Sequence, residues 1–268
     1  MDLAASPTAV EDPVPNGDTA DAAAGPEASE GPAPLPLRAG LAVLVGFAAT
    51  LAAGSVLLRL TRGAPVATFV SAVAIVTGQY LAMFGLCVAV CRRWATGSWR
   101  RDLGFRLSLR DVREGVTGWV LGMGVIGLIT MVLRHAGVPT SSNNPLTASS
   151  GTPAVSLPQW AAVVTAGIVM VAVAPVFEEL LFRGILQRSL CSRFPVGVAL
   201  AVQALAFGLF HFDARRGMGN AGLLVVLSGV GLVLGVIAQR NGGRLGAPMV
   251  AHSLHNCLAF AVGVAALL

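Results

Sequence analysis

Long apolar stretches separated by short polar connections make up most of the chain. Each stretch is close to the ~20 residues that an α-helix needs to cross the hydrocarbon core of a bilayer. The pattern predicts an all-α fold, a polytopic membrane helical bundle of about seven transmembrane helices, or eight if a re-entrant segment is counted. The seven stretches lie at about 39–58, 67–90, 114–133, 159–182, 196–212, 221–238 and 247–267.

The first 37 residues follow a different pattern. They are rich in Pro, Ala, Gly and acidic residues and have no apolar period. Such a segment cannot bury enough apolar surface to offset the entropy lost on ordering. We therefore expect residues 1–37 to be a disordered acidic tail and residues 38–268 to form the transmembrane domain. The tail lacks the basic start and early apolar run of a secretory signal peptide.

Composition supports a membrane protein. The chain is 55% hydrophobic and only 12% charged, with a mean hydropathy of +0.75, whereas soluble domains carry about 25% charged residues. Its basic residues are all arginines, and with the abundant Ala and Gly this suggests a bacterial protein. Gly118 and Gly122, and Gly231 and Gly235, have the GxxxG spacing that lets membrane helices pack closely.

The charge is distributed unevenly and predicts the orientation. All the arginines follow the acidic tail, and seven of them lie in the 91–113 connection. By the positive-inside rule this connection is cytoplasmic, which places the N-terminus inside and the 134–158 loop outside a cell membrane that the chain crosses several times. The arginines would meet anionic lipid heads. No basic run alternates with aromatic residues, so we expect lipid and no nucleic acid as a partner.

Three charges at the end of the fourth apolar stretch need an explanation. Each charge at the centre of a membrane helix costs about 2.5–3.5 kcal/mol on insertion scales. Glu179 and Arg183 are spaced i,i+4, so they can pair on one face of a helix. Glu178 points elsewhere and has no partner on its own helix. We therefore expect a structural ion pair beside a carboxylate that is free for chemistry.

Two further polar sites lie in later apolar stretches. His211 ends one of them, while His252 and Asn256 share a face of the last one. Glu178 and His211 are about equally far from the turn between their helices, which places them at one depth if the helices are antiparallel. Ionisable groups inside a membrane are functional candidates by default. The four residues Glu178, His211, His252 and Asn256 are hard to explain as independent structural contacts, and the sequence therefore favours one shared functional site.

These residues occur in three motifs that together resemble a known family. "EELLFR" at 178–183 is similar to an EExxxR motif, "FGLFH" at 207–211 to FxxxH, and "HSLHN" at 252–256 to HxxxN. In this order they resemble the CPBP intramembrane proteases, which include type 2 CAAX prenyl endopeptidases and bacterial Abi proteins. The resemblance covers about 159–260.

The resemblance implies hydrolysis of a peptide bond in a membrane-associated protein or peptide. Glu178 would be the general base that activates water, and His211 would bind or orient that water. His252 and Asn256 would stabilise the oxyanion, while Glu179 and Arg183 would hold the helix in place. Glu178, His211 and His252 with a water also fit a three-ligand zinc site, although the sequence has no HExxH motif. We thus expect either no cofactor or a divalent metal such as zinc, and prefer catalysis without metal.

Two other classes of function remain open at the level of sequence. A catalytically silent scaffold or immunity-type protein could use the same fold, and a transporter could bind a proton or a substrate through the buried charges. A scaffold predicts that Glu178→Gln keeps full function in the cell. A prenylated substrate has a precedent in eukaryotes, but the composition makes it an unexpected substrate here.

Overall fold

The structure is a computed structural model that describes residues 34–60, 65–140, 157–213 and 216–265. Within these ranges the regular elements are helices, which confirms the predicted all-α class. They are α1 (Leu37–Leu60), α2 (Pro65–Trp94), α3 (Trp99–Asp102), α4 (Leu109–His135), α5 (Leu157–Ile168), a first π-helical segment (Val169–Val173), α6 (Ala174–Glu179), a second π-helical segment (Leu180–Gln187), α7 (Arg188–Cys191), α8 (Val196–Leu209), α9 (Gly219–Arg240) and α10 (Gly246–Ala265).

The predicted polytopic bundle is confirmed, but one predicted span is too short. In the described part of the chain, six helices are long and apolar enough to cross a membrane. The stretch predicted at 196–212 forms only α8, whose 14 residues extend about 21 Å. The helix ends early because Asn220 exchanges two hydrogen bonds with the backbone of Asp213 and so holds the chain in a turn.

The helices differ in how much of their surface is buried. In α9, 56% of the most apolar stretch is buried, against 6% in α4. Large apolar side chains such as Val45 and Leu121 are mostly exposed on the outer helices. Exposed apolar surface on this scale is unfavourable in water and fits contact with lipid. The molecule therefore has α9 at its centre and lipid-facing helices around it.

Close packing around α9 depends on glycine, as the GxxxG spacing predicts. A Cβ atom on Gly231 would lie 3.1 Å from the Cα atom of Ala204 on α8. On the other side of α9, a Cβ atom on Gly118 of α4 would lie 2.6 Å from Ile237. These glycines let α8 and α4 pack closely against α9, which brings the polar groups of several helices within hydrogen-bond distance.

The predicted tail extends too far along the chain. Leu35 is only 1% exposed within the core, and α1 begins at Leu37. The boundary at residue 37 is therefore wrong by a few residues, because an apolar side chain next to the first helix can pack against the bundle. Residues 1–33 and 141–156, which carry the rest of the tail prediction and most of the predicted external loop, lie outside the described residues.

A continuous helical run from α5 to α7 carries the EExxxR motif. It changes from α to π geometry at Val169, returns to α geometry at Ala174, and changes to π geometry again just after Glu179. Ala174 donates its N–H to Val169 O, five residues back, and Pro175 has no N–H to donate. The carbonyl of Met170 therefore has no backbone donor from the next turn. Short π segments inside α-helices are frequent at functional sites.

Candidate active site

A cavity of about 780 Å³ lies inside the bundle, and all four predicted catalytic side chains line it. Its walls come from α2, the run from α5 to α6, α9 and α10, and from the end of α8. Most of the lining is Ala, Val and Leu. The structure thus brings together the side chains that the sequence places on three separate helices: Glu178, His211, His252 and Asn256.

Behind the cavity wall, Glu179 and Arg183 form the expected ion pair. Both side chains are fully buried, and Arg183 Nη1 donates to Glu179 Oε1 at 2.8 Å. Arg183 Nη2 donates to the backbone carbonyl of Gly231 on α9 at 2.8 Å. Gln203 of α8 donates to the same carbonyl at 2.9 Å. Arg183 therefore fastens the motif helix to α9, and Gln203 fastens α8 to the same carbonyl of α9.

Glu178 has different surroundings although it is adjacent to Glu179 in the sequence. Its side chain is 16% exposed, and its Oε2 atom is buried without a hydrogen-bond partner in the described part of the chain. The nearest ion-pairing nitrogen is His252 Nε2, at 3.8 Å, which is too far for a direct hydrogen bond. Glu178 therefore presents a carboxylate oxygen that the fold itself does not use.

His252 lies between the two glutamates. Its Nδ1 atom is 2.9 Å from Glu179 Oε1. A carboxylate only accepts hydrogen bonds, so Nδ1 carries the proton. This contact, which the sequence did not predict, connects the cavity to the buried ion pair and turns Nε2 of the ring toward Glu178.

His211 is fixed by its own helix end. Its Nδ1 atom lies 2.7 Å from the carbonyl oxygen of Phe207, so Nδ1 donates and Nε2 is the acceptor of the neutral ring. The ring of Phe207 packs against His211 at 4.9 Å and against His252 at 5.7 Å between centroids. The ring of Phe207 thus contacts both His211 and His252.

Asn256 is held by the run that carries Glu178. Its Nδ2 atom donates to Met170 O at 2.8 Å, the carbonyl that the π segment and Pro175 leave without a backbone donor. An asparagine amide has two N–H groups. One of them therefore anchors Asn256, and the other is available to a ligand in the cavity.

The described residues do not gather a metal-binding set. None of their His, Cys, Asp and Glu side chains form a group of three placed to hold a metal ion. His252 Nδ1 is bound to Glu179, and His211 Nδ1 to a backbone carbonyl. Glu178, His211 and His252 line one cavity without converging on one point. We therefore derive no catalytic step through a metal.

Tyr80 and His255 are the ionisable residues that line this cavity outside the predicted catalytic set. Tyr80, from α2, stacks on Phe177 with ring centroids 5.2 Å apart and lines the cavity. It is the only tyrosine of the chain, and a lone polar aromatic inside an apolar span is a signal that could have identified it. His255, from α10, is the other. The cavity therefore uses a helix that precedes the part resembling the protease family.

The comparison with protein families agrees with this site. Residues 159–258 match the family described as "Type II CAAX prenyl endopeptidase Rce1-like". No curated protein and no solved structure matches the chain. The matched residues include all three motifs, from Glu178 to Asn256. The match supports a CAAX protease-like CPBP family for this part of the chain.

Proposed function

We propose that the protein is an intramembrane endopeptidase in which Glu178 activates water. The observation that supports this proposal most strongly is the contrast between adjacent glutamates. Glu179 is fully buried and its Oε1 atom accepts from Arg183 and His252, whereas Glu178 lines the cavity and has no direct ion-pair hydrogen bond among the described residues, its nearest ion-pairing nitrogen being 3.8 Å away. A carboxylate that does not stabilise the fold is suited to act as a general base.

The reaction needs only groups that the cavity contains, plus water. Glu178 takes a proton from water while the water oxygen bonds to the carbonyl carbon of the peptide. His211 accepts the second water hydrogen through Nε2 and so orients the attack. Glu178 then gives its proton to the amide nitrogen as the C–N bond breaks, which leaves a carboxyl and an amine.

The developing oxyanion needs hydrogen-bond donors. Asn256 supplies the N–H that remains after it donates to Met170 O. His252 supplies a second donor through Nε2 when both ring nitrogens carry a proton. Removing one such donor typically costs about 100- to 1,000-fold in rate. Glu179 and Arg183 act only by holding His252 and the motif helix in place.

The cavity favours an apolar stretch of a membrane-associated protein or peptide as substrate. Apart from Glu178 and the histidines, its lining has no residue that is charged at any common pH. The match to the CAAX endopeptidase family supports hydrolysis of a peptide bond in such a substrate.

The test is cleavage of a labelled membrane-peptide library by the purified protein in detergent. Wild type is compared with Glu178→Ala, and both are assayed with and without a chelator. We expect wild-type cleavage that the chelator leaves unchanged and that the substitution abolishes. Equal product from both proteins would reject Glu178 as the base. A complete lack of cleavage by folded wild-type protein would favour a silent scaffold.

We also propose that the N-terminus and the 91–113 connection face the cytoplasm. Arginines of the 91–113 connection, such as Arg92, Arg93 and Arg101, are exposed. Exposure is expected of arginines that orient a membrane protein by the positive-inside rule. Single cysteines introduced at 91–113 should react with an impermeant reagent only from the cytoplasmic side, and those at 140–155 only from outside. The opposite pattern would reverse the orientation.

A further inference from the structure

His255 lines the cavity, yet the proposed reaction does not use it. It lies on α10 between His252 and Asn256. The four cavity residues of α10 are spaced as one helical stripe, with Ala259 as the last, because positions three and four apart share a helix face. His255 therefore belongs to the same face as two residues of the proposed catalytic set.

The imidazole of His255 has unused hydrogen-bonding capacity. Its Nδ1 atom is buried and has no hydrogen-bond partner in the ranges that the structure describes. A neutral imidazole offers one donor and one acceptor. The neighbouring cavity groups of α10 differ, since His252 is bound to Glu179 and Asn256 to Met170. A buried polar atom without a partner is unfavourable unless a ligand supplies one.

A purely structural reading of His255 makes a different prediction. On the side of α4, a second cavity of only about 10 Å³ lies against His255 and Trp119. Trp119 Nε1 is also buried and without a partner among the described residues. A space of this size holds one water at most. If His255 served only to contact Trp119 through such a water, substituting either residue would have the same effect.

We propose that His255 is a substrate-binding residue that hydrogen-bonds a backbone group of the peptide close to the scissile bond. A peptide bond that water can attack is not protected by helical hydrogen bonding, so its neighbours expose N–H and C=O groups. In a cavity lined mostly by Ala, Val and Leu, these groups need polar partners. The inference rests on the proposed function, because a peptide is the ligand.

Direct binding tests this without requiring turnover. A fluorescein-labelled alanine–leucine peptide is titrated into Glu178→Gln and into the double variant that also carries His255→Leu. We expect the double variant to bind about tenfold more weakly, the loss typical of one buried hydrogen bond. Adding His255→Gln instead, which keeps a donor and an acceptor, should preserve most of the affinity.

Two controls separate binding from structure. His135→Leu, a histidine exposed at the end of α4, should leave the affinity unchanged. Trp119→Phe should also leave it unchanged. If Trp119→Phe weakens binding as much as His255→Leu, His255 acts through Trp119 and the proposal is overturned. It is also overturned if His255→Leu binds as tightly as its parent.

An ester scan locates the contact on the peptide. Each backbone amide is replaced in turn by an ester, which removes the N–H and weakens the carbonyl as an acceptor. At one position the difference between the parent and His255→Leu should disappear, as a double-mutant cycle requires for two groups in contact. A constant difference at every position would contradict the contact. If the peptide binds and His255→Leu does not change its affinity, this inference alone is rejected. If the folded wild-type protein cleaves no peptide, the proposed function is rejected.

Discussion

Two polar regions lie on either side of the wall between the cavity and the core, and they are built differently. The inner region consists of Glu179, Arg183 and Gln203, fully buried and bound to each other or to the carbonyl of Gly231. The outer region consists of Glu178 and His255, which line the cavity and are less completely buried. The buried ion pair and its hydrogen bonds hold helices together, whereas the groups that line the cavity lie where a substrate can reach them.

The largest effect that this comparison predicts is on turnover. Glu178→Gln keeps the shape of the side chain but removes the base. We expect peptide cleavage to fall about 1,000-fold, within the range of loss of a general base. The measurement is initial rate on a peptide that wild type cleaves. A variant that keeps more than about a tenth of the wild-type rate would show that Glu178 is not the base.

A substitution in the inner region should instead lower the free energy of unfolding. Glu179→Gln leaves Arg183 buried without an ionised partner, and breaking a buried ion pair costs about 3–5 kcal/mol. The free energy of unfolding in detergent, from denaturant titration, should drop by that amount. Arg113→Gln is the control, because its ion pair with Glu114 is exposed. A loss for Glu179→Gln as small as that of the control would remove the proposed difference between the regions.

Close contact between α8 and α9 at a glycine should contribute less to stability than the buried ion pair does. A Cβ atom on Gly208 of α8 would lie 2.8 Å from the backbone carbonyl of Leu224 on α9, so Gly208→Ala must push the two helices apart. We expect a loss of about 1–3 kcal/mol, as for other overpacked cores. Gly127→Ala on α4 is the matched control, since nothing lies within 4 Å of its added Cβ. Equal melting of the two variants would contradict the packing argument.

The smallest predicted effect concerns the carbonyl that Asn256 satisfies. Asn256→Ala should cost about 1–2 kcal/mol, because Met170 O loses its donor. Pro175→Ala restores a backbone N–H near that carbonyl. We therefore expect Asn256→Ala to cost less in the Pro175→Ala background, measured as a double-mutant cycle by chemical unfolding. An identical cost in both backgrounds would mean that the proline is not what leaves the carbonyl free.

The sequence was sufficient for what depends on local spacing. Glu179 and Arg183 pair because they are one helical turn apart. The long apolar stretches became helices of nearly the predicted extent, such as α9. Glu178 and His211 were expected at one depth because they lie about equally far from the turn that joins their helices.

Other features depend on contacts that spacing does not determine. The bond between His252 and Glu179 joins residues 73 positions apart. The early end of α8 depends on Asn220, which lies beyond it in the chain. The role of Met170 O depends on a local π geometry. Burial of Leu35 requires the assembled bundle. Each of these needs the helices to be packed before it can be seen.

The melting temperature of Glu178→Gln tests the central claim most directly. If Glu178 is retained for chemistry and not for stability, removing its charge relieves the cost of burying an unpaired carboxylate oxygen. The variant should then melt in detergent at the wild-type temperature or slightly above it. A melting temperature lowered as far as that of Glu179→Gln would show that both glutamates support the fold and would contradict the account.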